Sequence, residues 1–168
     1  MIIVEERLTE LSSTFPIMTI SGSDYKPDFG FGTKEDLYKH LIEKAKTGGK
    51  YYPLVWLLTP IESIGSKKRI ETPLSLILAT LNKVKSMSNK KRIELSFKTT
   101  LIPLHDNIIT AFNQSGFTRI LNPAKIKRGN HYNFEFEKGE SSPKDIWDAM
   151  KVEFELEMTD ECLEKINY

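Results

Sequence analysis

The chain has little with which to build a covalent framework or a metal centre. Its 168 residues include one cysteine, Cys162, and three scattered histidines, His40, His105 and His131. An internal disulfide is excluded, and the solitary thiol points to a reducing compartment or to assembly inside a cell. Zinc needs about four N or S ligands at characteristic spacing, which these residues do not provide. No apolar run approaches the roughly 20 residues of a membrane-spanning helix. The N-terminus, MIIVEERLTELSSTF, lacks the basic start and long apolar core of a secretory leader. The expectation is a protein without membrane association.

Catalytic motifs are equally scarce. There is no G-x-S-x-G elbow, and the glycine-aromatic stretch Gly22–Gly32, GSDYKPDFGFG, has no phosphate-loop spacing. It reads as a loop packed by its own aromatics. His105 and Asp106 are adjacent, but neighbours on a helix point about 100° apart, which argues against a base–orienter pair. Glu153, Glu155 and Glu157 share one strand face and could in principle hold a metal, although alternation with apolar residues is what any solvated or subunit-facing strand shows. The expectation is therefore no enzyme, no cofactor and no metal.

What is present is an ordinary globular composition, 39% hydrophobic and 28% charged with a formal net charge of +1. That size and balance suit one domain over residues 1–168, a helical N-terminal part over 1–49 followed by a sheet core with one helix over 50–168. The near-neutral total hides a polarity along the chain. Between Ser66 and Arg92 eight basic residues meet the single acid Glu71, whereas between Glu135 and Tyr168 eleven acids meet four bases. Opposite charge on two surfaces of one molecule suits head-to-tail contact between copies, or neutralisation within the monomer.

Periodicity orders the elements. Val4, Leu8 and Leu11 have helical spacing, and Pro16 blocks continuation. A short extended piece follows over Ile17–Ser21. Thr33 is a candidate N-cap for a helix carrying Leu37, Leu41, Ile42 and Ala45, stopped at Gly48–Gly49; His40 on it reads as a surface residue. The apolar runs Tyr51–Leu58 and Leu74–Leu81 predict the central strand pair of a sheet, joined by a loop with Ser66–Arg69 at its tip. Ile93, Leu95 and Phe97 alternate with polar residues and predict a half-buried strand. Leu101–Gly116 predicts a helix with Pro103 in its first turn. Gly129–Asn130 signals a hairpin turn between Lys125–Arg128 and Tyr132–Glu137. Ser141–Met150 reads as a connector. Lys151–Met158 predicts a strand with Val152, Phe154, Leu156 and Met158 inward and three glutamates outward. Three like charges on one face require a basic strand or a neighbouring subunit opposite. The fold class expected is α+β, a mainly antiparallel sheet with helices packed on one face.

The blocks YYPLVWLLTPIE, Leu74–Leu81, KTTLIPLHDNIITAFNQSG and the closing strand Val152–Met158 resemble those of small structural proteins of tailed bacteriophages. The similarity is to tail-terminator or neck-type head–tail joining proteins, particularly those of phages infecting Bacteroidetes. The resemblance covers about two thirds of the chain, from Tyr51 onward. It implies a virion protein, assembled in the host cytoplasm, that forms a homo-oligomeric ring in the neck or tail. Such a ring touches adjacent neck or tail proteins and meets DNA only as it passes through the channel. The residues expected at subunit contacts are Lys67, Lys68, Arg69, Lys90, Lys91 and Arg92 on the basic side, with Glu153, Glu155 and Glu157 on the acidic side. The alternative from residue chemistry is a small nucleic-acid-binding or regulatory protein using the basic loops.

Overall fold

A computed structural model of the chain describes residues 2–48, 52–81, 88–130 and 147–168. The architecture is α+β with an antiparallel-dominated sheet, as the sequence predicts. Helix α1, Val4–Ser12, leads into a small antiparallel ladder of β1, Met18–Ile20, and β2, Ser23–Tyr25. Strand β3, Asp28–Gly32, helix α2, Lys34–Thr47, and strand β4, Leu54–Leu58, follow. The short β5, Ile64–Gly65, lies beside the long β6, Arg69–Leu81. One continuous helix then comprises α3, Asn89–Arg92, a π-helical stretch, Ile93–Leu101, and α4, Ile102–Gln114. Strands β7, Thr118–Asn130, and β8, Trp147–Thr159, close the fold.

The main sheet runs β3–β4–β6–β8–β7, with β5 on β6 beyond the end of β4, and only β3–β4 is parallel. The two predicted core strands are neighbours, Leu54 opposite Ala79 and Leu57 opposite Leu76. Their apolar residues face both ways because both faces are covered there. Val55, Leu57, Leu76 and Leu78 join the larger core with α1, α4 and the inward row of β8. Leu54, Trp56, Ile77 and Ala79 join Leu37 and Leu41 of α2 in a second cluster. Helices thus pack on both faces, which corrects the expectation of a single helical face.

Four further expectations are corrected. Gly22–Gly32 is no loop: it holds β2 and β3, and β3 is a strand of the main sheet, so the part over 1–49 is not simply helical. Ile93–Phe97 is helical. Ile93 and Leu95 are exposed while Arg92, Ser96, Phe97, Thr100, Leu101 and Leu104 are buried, a helical spacing that the alternation concealed. Gly129–Asn130 is not a turn, because β7 continues through it against Ala149 and Asp148 of β8. Trp147–Met150 belongs to β8 rather than to a connector. The expected partner strand Tyr132–Glu137 and His131 lie outside the described residues, as does most of the basic stretch Asn82–Lys91, which reads from the sequence as a second basic loop.

The Thr33 N-cap is present, with Thr33 accepting from the Asp36 amide and Asp36 accepting from the Thr33 amide. The polar tail after Thr159 is held against the body. The Arg7 guanidinium donates to the Glu161 carbonyl, the Glu164 amide to the Ser115 carbonyl at 2.9 Å, and the Asn167 amide to Gln114 at 2.9 Å.

Candidate functional site

The basic tip is set by Gly65. Its φ of +155° lies where side chains are disfavoured, and a Cβ there would sit 2.3 Å from the Arg69 carbonyl oxygen. The chain turns tightly: the Ser66 amide donates to the Arg69 carbonyl at 2.7 Å, and the Lys68 amide to the Ser66 hydroxyl at 3.3 Å. Lys67 and Lys68 are exposed, and beside them Ile64 is 83% exposed. The tip therefore presents one apolar side chain open to water next to two cations. Arg69 differs: its guanidinium reaches back to Glu157. Gly65→Ala is expected to disorder this tip without unfolding the core, seen as faster amide exchange at Ser66 alone.

The glutamate row lies on the sheet face that α2 leaves open. β8 runs between β6 and β7, and β7 places Arg119 opposite Glu157, Asn122 opposite Glu155 and Lys125 opposite Glu153. Glu153 bonds Lys151 at 2.6 Å, and that bond, with Lys127 and Lys125 nearby, holds its carboxyl below the usual carboxylate range. The Asn122 amide donates to Glu155. The basic strand required opposite the glutamates is therefore supplied by the same chain. Glu157 is buried between Arg69 and the sheet, so it is not a free contact residue. A groove of about 460 Å³ lies on this face, with Ser75, Lys151, Glu153, Pro60, Pro73 and Pro123 among its lining residues.

Of the second basic group, Lys90 and Lys91 are exposed on α3, whose Ser88 N-cap accepts from the Lys91 amide at 3.4 Å. Arg92 is fully buried. It bonds Asp148 of β8 at 2.9 Å, and Ser96 donates to the other oxygen of Asp148 at 2.6 Å. Arg92 is therefore removed from the candidate contact residues, because its charge is consumed inside the monomer. The tip adjoins the end of β8, where Arg69 bonds Glu157 and the Lys68 carbonyl accepts from the Asp160 amide at 3.2 Å.

A third cluster was missed by reading His40 as a surface residue. His40 Nε2 lies 2.6 Å from Asp28 Oδ2, Lys44 Nζ lies 2.9 Å from Asp28 Oδ1, and the His40 ring rests on Trp56 with centroids 5.3 Å apart. The signal available was the spacing of His40 and Lys44, one helical turn apart and so on one face. Burial alone raises the Asp28 pKa, but the bonds from His40 and Lys44 outweigh it and the net shift is downward from 3.8. A depressed folded-state value stabilises the fold above the unfolded-state pKa, and the gain disappears as pH falls through the folded-state value. Asp28→Asn is expected to flatten the acid limb of the stability profile below about pH 4, measured by urea unfolding at stepped pH.

His105 Nδ1 and Asp106 Oδ1 do approach to 3.2 Å, contrary to the expectation from helical spacing. Asp106 is largely exposed, so the contact is a solvated one. Among the described residues no three His, Cys, Asp or Glu side chains converge to hold a metal ion. Among them, no helix is long and apolar enough to cross a membrane. Compared with protein-family models and with curated proteins, the chain matches none.

Proposed function

We infer that the chain is a structural subunit of a homo-oligomeric ring in the neck or tail of a tailed bacteriophage, of tail-terminator or head–tail connecting type. The observation that carries this reading is the β5–β6 tip, where the exposed Ile64 stands beside exposed Lys67 and Lys68. The exposed tail acids Asp160, Glu161 and Glu164 lie at the same end of the sheet as this basic, apolar-edged tip, the Asp160 amide donating to the Lys68 carbonyl at 3.2 Å, so that end offers charges of both signs to a neighbouring copy. The resemblance of the blocks from Tyr51 onward supplies the biological setting. The ring touches neighbouring neck or tail proteins, and DNA passes through it without being read.

The test is the triple variant Ile64→Glu, Lys67→Glu, Lys68→Glu. Arg69 is left unchanged, because reversing it places a third carboxylate beside Glu157 and Glu71 and disturbs the monomer. Wild-type protein is expected as ring-sized particles in negative stain and mass photometry. The variant is expected to stay folded, with an unaltered circular dichroism spectrum, and to form no ring-sized particles. Ring assembly by the variant, or a wild-type protein that stays monomeric when concentrated and is missing from purified virions, sinks the reading. DNA affinity that falls steeply with salt and is lost in the variant supports the nucleic-acid-binding alternative instead.

A further inference from the structure

Among the described residues, the two edges of the main sheet, β3 and β7, are built differently. β7 carries Pro123, the cations Lys125, Lys127 and Arg128, and two register shifts near Asn122. These are the devices that keep an edge strand from pairing with another chain. β3, Asp-Phe-Gly-Phe-Gly over Asp28–Gly32, has no proline, no cation and an unbroken register against β4.

The hydrogen bonds define which groups of β3 are used by β4 and which have no partner among the described residues. The Asp28 amide donates to the Pro53 carbonyl at 2.9 Å, and the Gly32 carbonyl accepts from the Thr59 amide at 3.1 Å. Alternation along a strand then directs residues 28, 30 and 32 toward β4. The N–H and C=O groups of Phe29 and Phe31 face the opposite way, out of the sheet. A groove of about 380 Å³ follows this edge, lined by Thr9 and Ser12 of α1, by Ser13 just after it, and by His40 and Trp56. Phe31 is 47% exposed within it.

We propose that β3 pairs antiparallel with β3 of a second copy, about a twofold axis through Gly30. The segment Phe29–Gly30–Phe31 is its own complement. Turned end for end, it sets Phe29 opposite Phe31 of the partner subunit and Phe31 opposite Phe29 of the partner subunit. Both become hydrogen-bonded pairs that exchange N–H···O bonds in each direction, and both align an aromatic with an aromatic. Gly30 meets Gly30 of the partner subunit at the closer, non-hydrogen-bonded spacing of about 4.5 Å. The absence of a Cβ there has its own cause in the monomer, since the Trp56 ring occupies that position, 2.3 Å from where a Cβ would stand. The protected β7 edge disfavours pairing of β3 with the far side of another copy. The contact is isologous, so it is distinct from the head-to-tail contact of a ring and does not depend on it.

Phe31→Pro tests the pairing in the full chain. It removes an N–H that β4 does not use, and proline is tolerated on an edge strand when that side faces outward. In sedimentation velocity on the triple tip variant, which lacks the ring contact, the mass is expected to double with concentration. Adding Phe31→Pro is expected to weaken that doubling by roughly 100-fold in Kd, as bridging hydrogen bonds are lost and the ring of proline blocks the edge. Hydrogen exchange supplies the second measurement. The Phe29 amide is expected to slow with concentration only where Phe31 is intact, while the Asp28 and Gly32 amides stay protected in both proteins and report that β3 is folded. The proposal is overturned if the tip variant remains monomeric when concentrated, if Phe31→Pro associates as tightly, or if the Phe29 amide slows only when a different protein is added. Failure of the tip variant to block rings bears on the ring reading alone.

Discussion

Arg92→Ala is expected to lower the unfolding free energy by about 3–5 kcal/mol, because it leaves Asp148 charged, buried and short of its partner. Both side chains of the pair have zero exposure, and Ser96 bonds the same carboxylate. The pair fastens the start of the long helix to the start of β8. Arg92, just before the wide helical stretch, and Ser96, within it, both reach Asp148, and at the end of that stretch the Ile102 amide bonds the Phe97 carbonyl five residues back. Buried ion pairs are weak sources of net stability, however, since the desolvation of both charges offsets their attraction. The double substitution Arg92→Met with Asp148→Leu is therefore expected to recover most of the loss. Urea unfolding of the two single variants and the double variant measures the coupling. A coupling energy under about 1 kcal/mol contradicts the account.

Trp56→Ala carries the second large effect, about 3–5 kcal/mol from the loss of a buried aromatic. Trp56 is the joint between β3, β4 and α2: its indole N–H donates to the Gly32 carbonyl at 3.1 Å, its ring lies over Gly30, and His40 of α2 rests on it. The close approach to Gly30 makes a sharper test than the single loss. Gly30→Ala forces a methyl into the ring and is expected to cost about 1–3 kcal/mol by overpacking. In the Trp56→Ala background the same methyl enters the vacated space, and the added cost is expected to fall near the small β-propensity difference between glycine and alanine. Additive losses in thermal unfolding show that the Trp56 ring does not set the limit at Gly30.

The legible parts of the fold were those in which local pattern and burial agree. Val4, Leu8 and Leu11 form a helical stripe and face the core; Val152, Phe154, Leu156 and Met158 alternate and do the same. The two apolar runs pair as neighbouring strands with both faces covered, as apolar residues on both sides of each run require. The misread stretches share a different cause. Ile93, Leu95 and Phe97 alternate as a strand does, yet only Phe97 is buried, and the helix is held by Arg92, Ser96 and Thr100, polar residues that a hydrophobic pattern ignores. Gly129–Asn130 has turn chemistry, but the ladder with β8 continues through it, since cross-strand pairing overrides local preference. Asp-Phe-Gly-Phe-Gly has a loop's composition and still makes a strand, because its glycines admit the Trp56 and Asp36 side chains that press on them.

The sequence by itself determined the class of the fold, the inward row of each strong element and the separation of charge along the chain. These depend on periodicity and composition, which are local. Only the tertiary structure decided where the charges meet. Arg92 and Glu157 belong to basic and acidic stretches far apart in sequence, and folding consumes both inside the monomer, because a buried charge must find its counterpart. Lys67 and Lys68, with Ile64 beside them, are left outside. The candidate contact surface is thus smaller than the charge count suggested, and it gained an apolar residue that charge alone could not reveal.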